Sequence, residues 1–145
     1  MASAPSKTAF ATSDTSALVG VRDDVIESSI CVETTTGFPF ILDVRIIVCY
    51  TESGSTGIKV SRVRPSQIIL TITPIIKTAR KLSIAWGVLC LLQKDEKNLE
   101  EMINSTKDTV KKSGLAYSGD KVLITAGLPL KVEGTTNLIR VTTVK

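Results

Sequence analysis

Residues 44–50, Val-Arg-Ile-Ile-Val-Cys-Tyr, are β-branched and apolar with one interruption at Arg45, the pattern of a strand buried on both faces. The apolar run stops at Thr51. A polar loop with Gly54 and Gly57 then leads into a short amphipathic segment, where Val60 and Val63 lie three apart and Pro65 marks the stop. Open α/β sheets build anion sites in this order: strand, hydroxyl- and glycine-rich turn, helix. The turn's backbone N–H groups and the helix N-terminus both face the carboxyl end of the strand. The same pattern also fits a tight strand-to-helix turn that binds nothing.

Downstream the alternation continues. Residues 67–73 read as a second strand, with Thr73 as the expected N-cap and Pro74 as the first position of the next helix. Ile75, Ile76, Ala79, Leu82 and Trp86 recur at helical spacing and predict a helix packed on the sheet, ended by Gly87. Residues 88–92 form a third apolar run. Asp95 is the expected cap of a helix whose buried stripe is Leu99, Met102, Ile103, Thr106 and Val110, with Lys111, Lys112 and Gly114 as its C-terminal signals. A Gly119-Asp120 turn introduces a fourth strand over residues 121–126, and residues 138–144 alternate as a closing strand. Strands separated by helices run parallel. The last strand follows a loop too short to cross over, so it is expected antiparallel, at an edge.

Upstream, residues 1–20 are rich in Ala, Ser and Thr and are expected to be a disordered leader. Residues 21–42 read as a divergent helical and linker segment. Asp23 and Asp24 suit a helix N-terminus, Val25, Ile26 and Ile30 are its apolar positions, and Gly37-Phe-Pro-Phe40 breaks it. Residues 43–145 form the expected globular domain.

Composition narrows the chemistry. A chain of 145 residues is long enough for one domain whose core needs no disulfide. The net charge of +4 comes from Lys and Arg scattered singly or in pairs, with 4% aromatic residues, which speaks against nucleic acid as a partner. There are three cysteines, and Cys49 and Cys90 sit in apolar runs. They are expected to be buried, reduced thiols in a cytoplasmic protein. The sequence has no histidine, which removes the commonest general base, and no zinc constellation is available. No apolar run approaches the length of a membrane span. Neither a catalytic nor a metal site is expected.

Several stretches resemble the C-terminal domain of pyruvate kinase. Gly119-Asp-Lys-Val-Leu-Ile-Thr-Ala-Gly-Leu-Pro129, continued by Glu133-Gly-Thr-Thr-Asn-Leu-Ile-Arg-Val141, is similar to that family's closing segment. Ile47-Val-Cys-Tyr-Thr-Glu-Ser-Gly-Ser-Thr56 is similar to its first strand and turn. Val60-Ser-Arg-Val-Arg-Pro65, Thr78-Ala-Arg80 and Trp86-Gly87 follow in the family's order. The resemblance covers roughly residues 43–145. It implies an α/β fold, a three-layer α/β/α domain with a mixed five-stranded sheet and the last strand antiparallel. It also implies an allosteric and assembly role rather than chemistry. The family's catalytic barrel needs about 250 residues, and the magnesium and potassium sites belong to that barrel, so no cofactor is expected in this chain.

By the same resemblance, Thr51, Ser53, Gly54, Ser55 and Thr56 match the loop that cradles the phosphate of a sugar-phosphate effector. Gly127, Lys131, Val132, Gly134 and Thr135 fall in the loop that covers it. Glu101 and Asp108 stand where some bisphosphate-activated members place a tryptophan and an arginine, which implies a monophosphate effector or none. The implied partners are the effector and either the catalytic domain or further copies of this chain, with no nucleic acid and no membrane. The other reading is a stand-alone module that binds phosphorylated metabolites and has lost any link to the kinase.

Overall fold

The computed structural model describes residues 18–19, 42–94, 96–127 and 136–145. Six strands occur in the described chain: β1 (Leu18–Val19), β2 (Val44–Tyr50), β3 (Ile68–Thr73), β4 (Val88–Leu92), β5 (Lys121–Ala126) and β6 (Leu138–Thr143). The helices are α1 (Ser55–Arg62), α2 (Ile76–Leu82) and α3 (Leu99–Lys112). The strands form one sheet in the order β1-β6-β5-β2-β3-β4. β2 lies at its centre, parallel to β3 and β5, while β4 runs parallel to β3. β6 is antiparallel to β5. This is the expected mixed sheet of five strands, but the two-residue β1 is added antiparallel to β6, so β6 is not the edge strand that was expected. Leu18 and Val19 fall within the segment expected to be a leader. The remainder of that segment, and the expected helix and break over residues 22–40, lie outside the described residues.

The period of two in a strand divides the core into two layers. On one face Ile46 and Val48 of β2 meet Met102, Ile103 and Val110 of α3, along with Val122 and Ile124 of β5. On the other, Ile47 and Cys49 meet Val60 of α1, Leu82 of α2 and Leu123 of β5. A strand buried on both sides has to be apolar at every inward position. Only Arg45, near the start of β2, is exposed.

Of the stripe expected on the last helix, Met102, Ile103, Thr106 and Val110 are buried, while Leu99 is half-buried against the same core. The start of this helix differs. The N-cap is Asn98, whose side chain accepts the Glu101 N–H at 2.9 Å, and Glu101 in turn accepts the Lys97 N–H at 3.2 Å. Asp95 is therefore three residues too early; Asn98 sits next to the first helical residue, where a side-chain oxygen can reach the third amide. The C-terminus closes as a Schellman turn. The Leu115 N–H reaches Val110 O at 3.0 Å, the Gly114 N–H reaches Lys111 O at 3.1 Å, and Gly114 adopts φ +69.

The expected helix over residues 75–86 is shorter and less buried than its spacing suggests. α2 has seven residues. Pro74 precedes it by two positions, and the Thr73 hydroxyl accepts the Ile75 N–H at 3.3 Å from outside the helix. Of the apolar positions, Leu82 is fully buried, whereas Ile76 is 52% and Trp86 51% exposed. The cause is position in the sheet. α2 lies against β4, the last strand on its side, so half of its apolar stripe projects past the sheet.

Leu82 is thus the apolar anchor of α2. Truncation to alanine should cost about 2–5 kcal/mol in urea unfolding, whereas Ile76→Ala should stay within about 0.5 kcal/mol. Equal losses from the two variants would show that α2 packs by a different face.

Candidate functional site

The carboxyl end of β2 runs into the turn at residues 51–54, and α1 begins at Ser55. The geometry rests on two glycines. Gly54, the N-cap, takes φ +83, the left-handed region that glycine enters without steric cost. Gly57 permits a close approach: a Cβ there would lie 2.6 Å from Thr71 Cγ2 and 3.2 Å from Leu82 Cδ2. The first turn of α1 is pressed directly onto β3 and α2. An α-helix leaves its first N–H groups without intrahelical partners, and here they open at the end of the central strand.

The hydroxyls around this point bond to the turn and to one another. Thr51 Oγ1 accepts the Gly54 N–H at 2.9 Å. Ser53 Oγ donates to Ser55 Oγ at 3.1 Å and accepts the Ser55 N–H at 3.4 Å. From α2, the Thr78 hydroxyl donates to Glu52 O at 2.6 Å. The turn is thereby held in shape by its own side chains. A hydroxyl has one hydrogen to donate and two lone pairs. Thr51 and Ser55, acting here as acceptors, each keep an O–H to offer an anion.

Thr56 has a different part. It is buried, and its hydroxyl lies 2.7 Å from that of Thr136, at the foot of β6. This bond ties the turn after β2 to the segment entering β6. Of the second expected loop, Gly127 is half-buried directly after β5. Lys131, Val132, Gly134 and Thr135 lie outside the described residues. Glu101 and Asp108 are both exposed on α3.

Sequence reasoning missed Thr78 and Thr136 as parts of the site. Both fall in stretches that carry the resemblance, Thr78 in Thr78-Ala-Arg80 and Thr136 in the closing segment, but neither was assigned to the turn. Thr125 was not singled out from the sequence either, and none of the turn's hydrogen bonds described above reaches it. It is fully buried on β5, in register with Cys49, and its hydroxyl has no hydrogen-bond partner among the described residues. Of the thiols, Cys49 is buried and Cys90 half-buried. Among the described residues no cluster of His, Cys, Asp or Glu could hold a metal ion, and no helix is long and apolar enough to cross a membrane.

On the opposite side of β2 from the turn, Tyr50 joins the strand to α3. Its Oη donates to Met102 O at 3.3 Å and lies 2.9 Å from Thr106 Oγ1. Burial pushes the phenol above its ordinary value near 10; the bond to Thr106 opposes the shift and the nearby Glu96 carboxylate adds to it. Because the folded state holds this proton more tightly than the unfolded chain does, the Tyr50 contribution is complete below the ordinary tyrosine pKa. It is lost as pH rises through the folded value.

The comparisons with known proteins agree with this architecture. The sequence profile described as "Pyruvate kinase, alpha/beta domain" matches residues 28–142, beginning upstream of the resemblance read from the sequence. The pyruvate kinase of Staphylococcus aureus strain USA300 is 40% identical over 100 residues, 69% of this chain and 17% of its own length. That of Staphylococcus haemolyticus is 38% identical over 99 residues, 68% of this chain and again 17% of the relative. Among solved structures, Cryptosporidium parvum pyruvate kinase in complex with ADP superposes with a TM-score of 0.74 at 26% identity, covering 86% of this chain and 25% of that one. The chain therefore spans about one-sixth of the length of the curated relatives it matches.

Two outcomes test the geometry. Gly57→Ala should destabilise the fold by about 1–3 kcal/mol, since Thr71 has to move to admit the new methyl; a neutral result would mean α1 sits further from β3. Tyr50→Phe should flatten the loss of stability in denaturant titrations above pH ~10. An unchanged alkaline slope would assign that loss to other groups.

Proposed function

We propose, from the premise that the chain belongs to the pyruvate kinase family as its alpha/beta domain, that it is a regulatory and assembly domain acting in glycolysis in the cytoplasm. In this reading it binds a sugar monophosphate at residues 51–56 and docks on a catalytic partner domain or on further copies of itself. The chain carries out no phosphoryl transfer alone. The supporting observation is the turn itself, where Thr51, Ser53 and Ser55 gather hydroxyls against the N-terminus of α1 with the backbone already fixed. Hydrogen bonds to a charged phosphate are worth about 1.5–3 kcal/mol each, and a site held by its own bonds loses little entropy on binding. Gly127, Lys131, Val132, Gly134 and Thr135 supply the covering loop in this proposal, with the Lys131 ammonium adding charge. Glu101 and Asp108 would repel a second phosphate, so the ligand carries one.

A thermal-shift titration tests the reading. A hexose monophosphate at about a hundred times its Kd should add roughly 2.7 kcal/mol of stability, with inorganic phosphate binding more weakly. Ser53→Asp with Ser55→Asp should abolish the shift by placing negative charge where the phosphate sits. Lys131→Ala should weaken it by a smaller amount. An equal shift in the wild type and the double aspartate variant would move the site elsewhere.

A further inference from the structure

Charge is distributed along this chain in a way its overall balance conceals. Between Glu52 and Asp95 there is no acidic residue at all, while Arg62, Arg64, Lys77, Arg80, Lys81 and Lys94 are all exposed. This stretch is one half of the fold: α1, β3, α2 and β4. The same half holds most of the large apolar side chains that project into solvent. On β4, Leu89, Leu91 and Leu92 are exposed, Leu91 at 37%. Beside them lie Ile76 on α2 and, just past its end, Ile84, which is 88% exposed.

β4 is also the last strand on its side of the sheet. One edge pairs with β3 over residues 88–92, and the other has no strand partner among the described residues. An apolar edge strand presents a row of backbone N–H and C=O groups and is a template for another strand. Leu89 and Leu91 project to the α3 side of the sheet and Leu92 to the α2 side, so an added strand would find apolar contacts on both faces. The flanking charges decide which strand fits. Lys77, Arg80 and Lys81 are exposed on α2, the helix that packs against β4, and Lys94 follows the strand. Two copies of the chain meeting edge to edge would bring these like charges together, which disfavours that pairing.

We infer that the β4 edge and the adjoining face of α2 receive an extended acidic segment of a different polypeptide, which adds to the sheet as a further strand. Backbone pairing along residues 88–92 supplies affinity, and carboxylates beside Arg80, Lys81 and Lys94 supply orientation and choice of partner. A polypeptide suits this edge better than lipid or nucleic acid, neither of which can pair with its backbone groups. One face of the Trp86 ring is already occupied by the Arg64 guanidinium, 5.7 Å from its centroid.

The test uses the whole chain and a labelled peptide alternating valine and glutamate. Amide chemical shifts should move at residues 88–92 on binding, while the same peptide with lysine for glutamate should not bind. Arg80→Glu with Lys81→Glu should weaken binding about tenfold, and Leu91→Lys should weaken it with the α2 charges intact; circular dichroism checks that each variant is folded. Shifts confined to other strands would overturn the proposal, as would equal binding of both peptides. Preferential binding of phosphatidylserine vesicles or duplex DNA would assign the face to those partners instead. If the peptide binds only after Asp23, Asp24, Glu27 and Glu33 are replaced by alanine, the occupant is the chain's own acidic segment and not a second polypeptide.

Discussion

Clearance at Gly57 is the constraint on which the rest of this structure depends. The backbone of α1 comes so near β3 and α2 that a single methyl would meet Thr71 at 2.6 Å. That approach starts the helix at the end of β2, with its first amides lacking partners within the helix itself. With Gly54 in the left-handed region one turn earlier, the chain reverses sharply enough for Thr51 to cap the amide of Gly54. A larger residue at either position would push the helix away and break the bonds that hold residues 51–55 in this turn. Packing and site chemistry here have one cause.

Much of this was legible because the signals are local. The continuous apolar run of β2, the stripe on α3 and the Lys-Lys-Ser-Gly close of that helix each state their structure within a few residues, and the fold agrees. The strand-turn-helix order over residues 44–62 was equally plain, since Gly54 and Gly57 stand among hydroxyls between an apolar run and an amphipathic one. The misreadings arise where position in the sheet outweighs periodicity. Ile75, Ile76 and Trp86 have helical spacing, but spacing does not reveal that α2 lies at the margin of the sheet, where a stripe can face water. Asp95 and Asn98 are both good caps by type, and only the helix start selects between them. Thr136 could not be read as a partner of Thr56, because their contact spans 80 residues.

The charge asymmetry failed to register for another reason. Net charge and run length average over the chain, and Lys and Arg here occur singly or in pairs. The signal was the missing Asp and Glu across the whole stretch between Glu52 and Asp95, an absence that neither measure counts. It gains physical meaning once α1, β3, α2 and β4 are seen to be neighbours. Isolated surface cations are commonplace and weak in energy. Cations flanking an unpaired apolar edge are different, because they decide which strand may approach it.

α2 belongs to both regions. Its Thr78 hydroxyl holds the Glu52 carbonyl, and both Thr78 and Leu82 stand against Gly54. Its outer face carries Ile76, Arg80 and Lys81 beside β4. Coupling between two sites needs an element whose contacts with each differ between states, and this seven-residue helix touches both through side chains less than one turn apart. Because α2 is anchored in the core chiefly by Leu82, small displacements break few buried contacts. The central strands β2 and β5, buried on both faces, have no such latitude. Of the elements touching the turn, α2 is thus the one that also reaches the sheet margin.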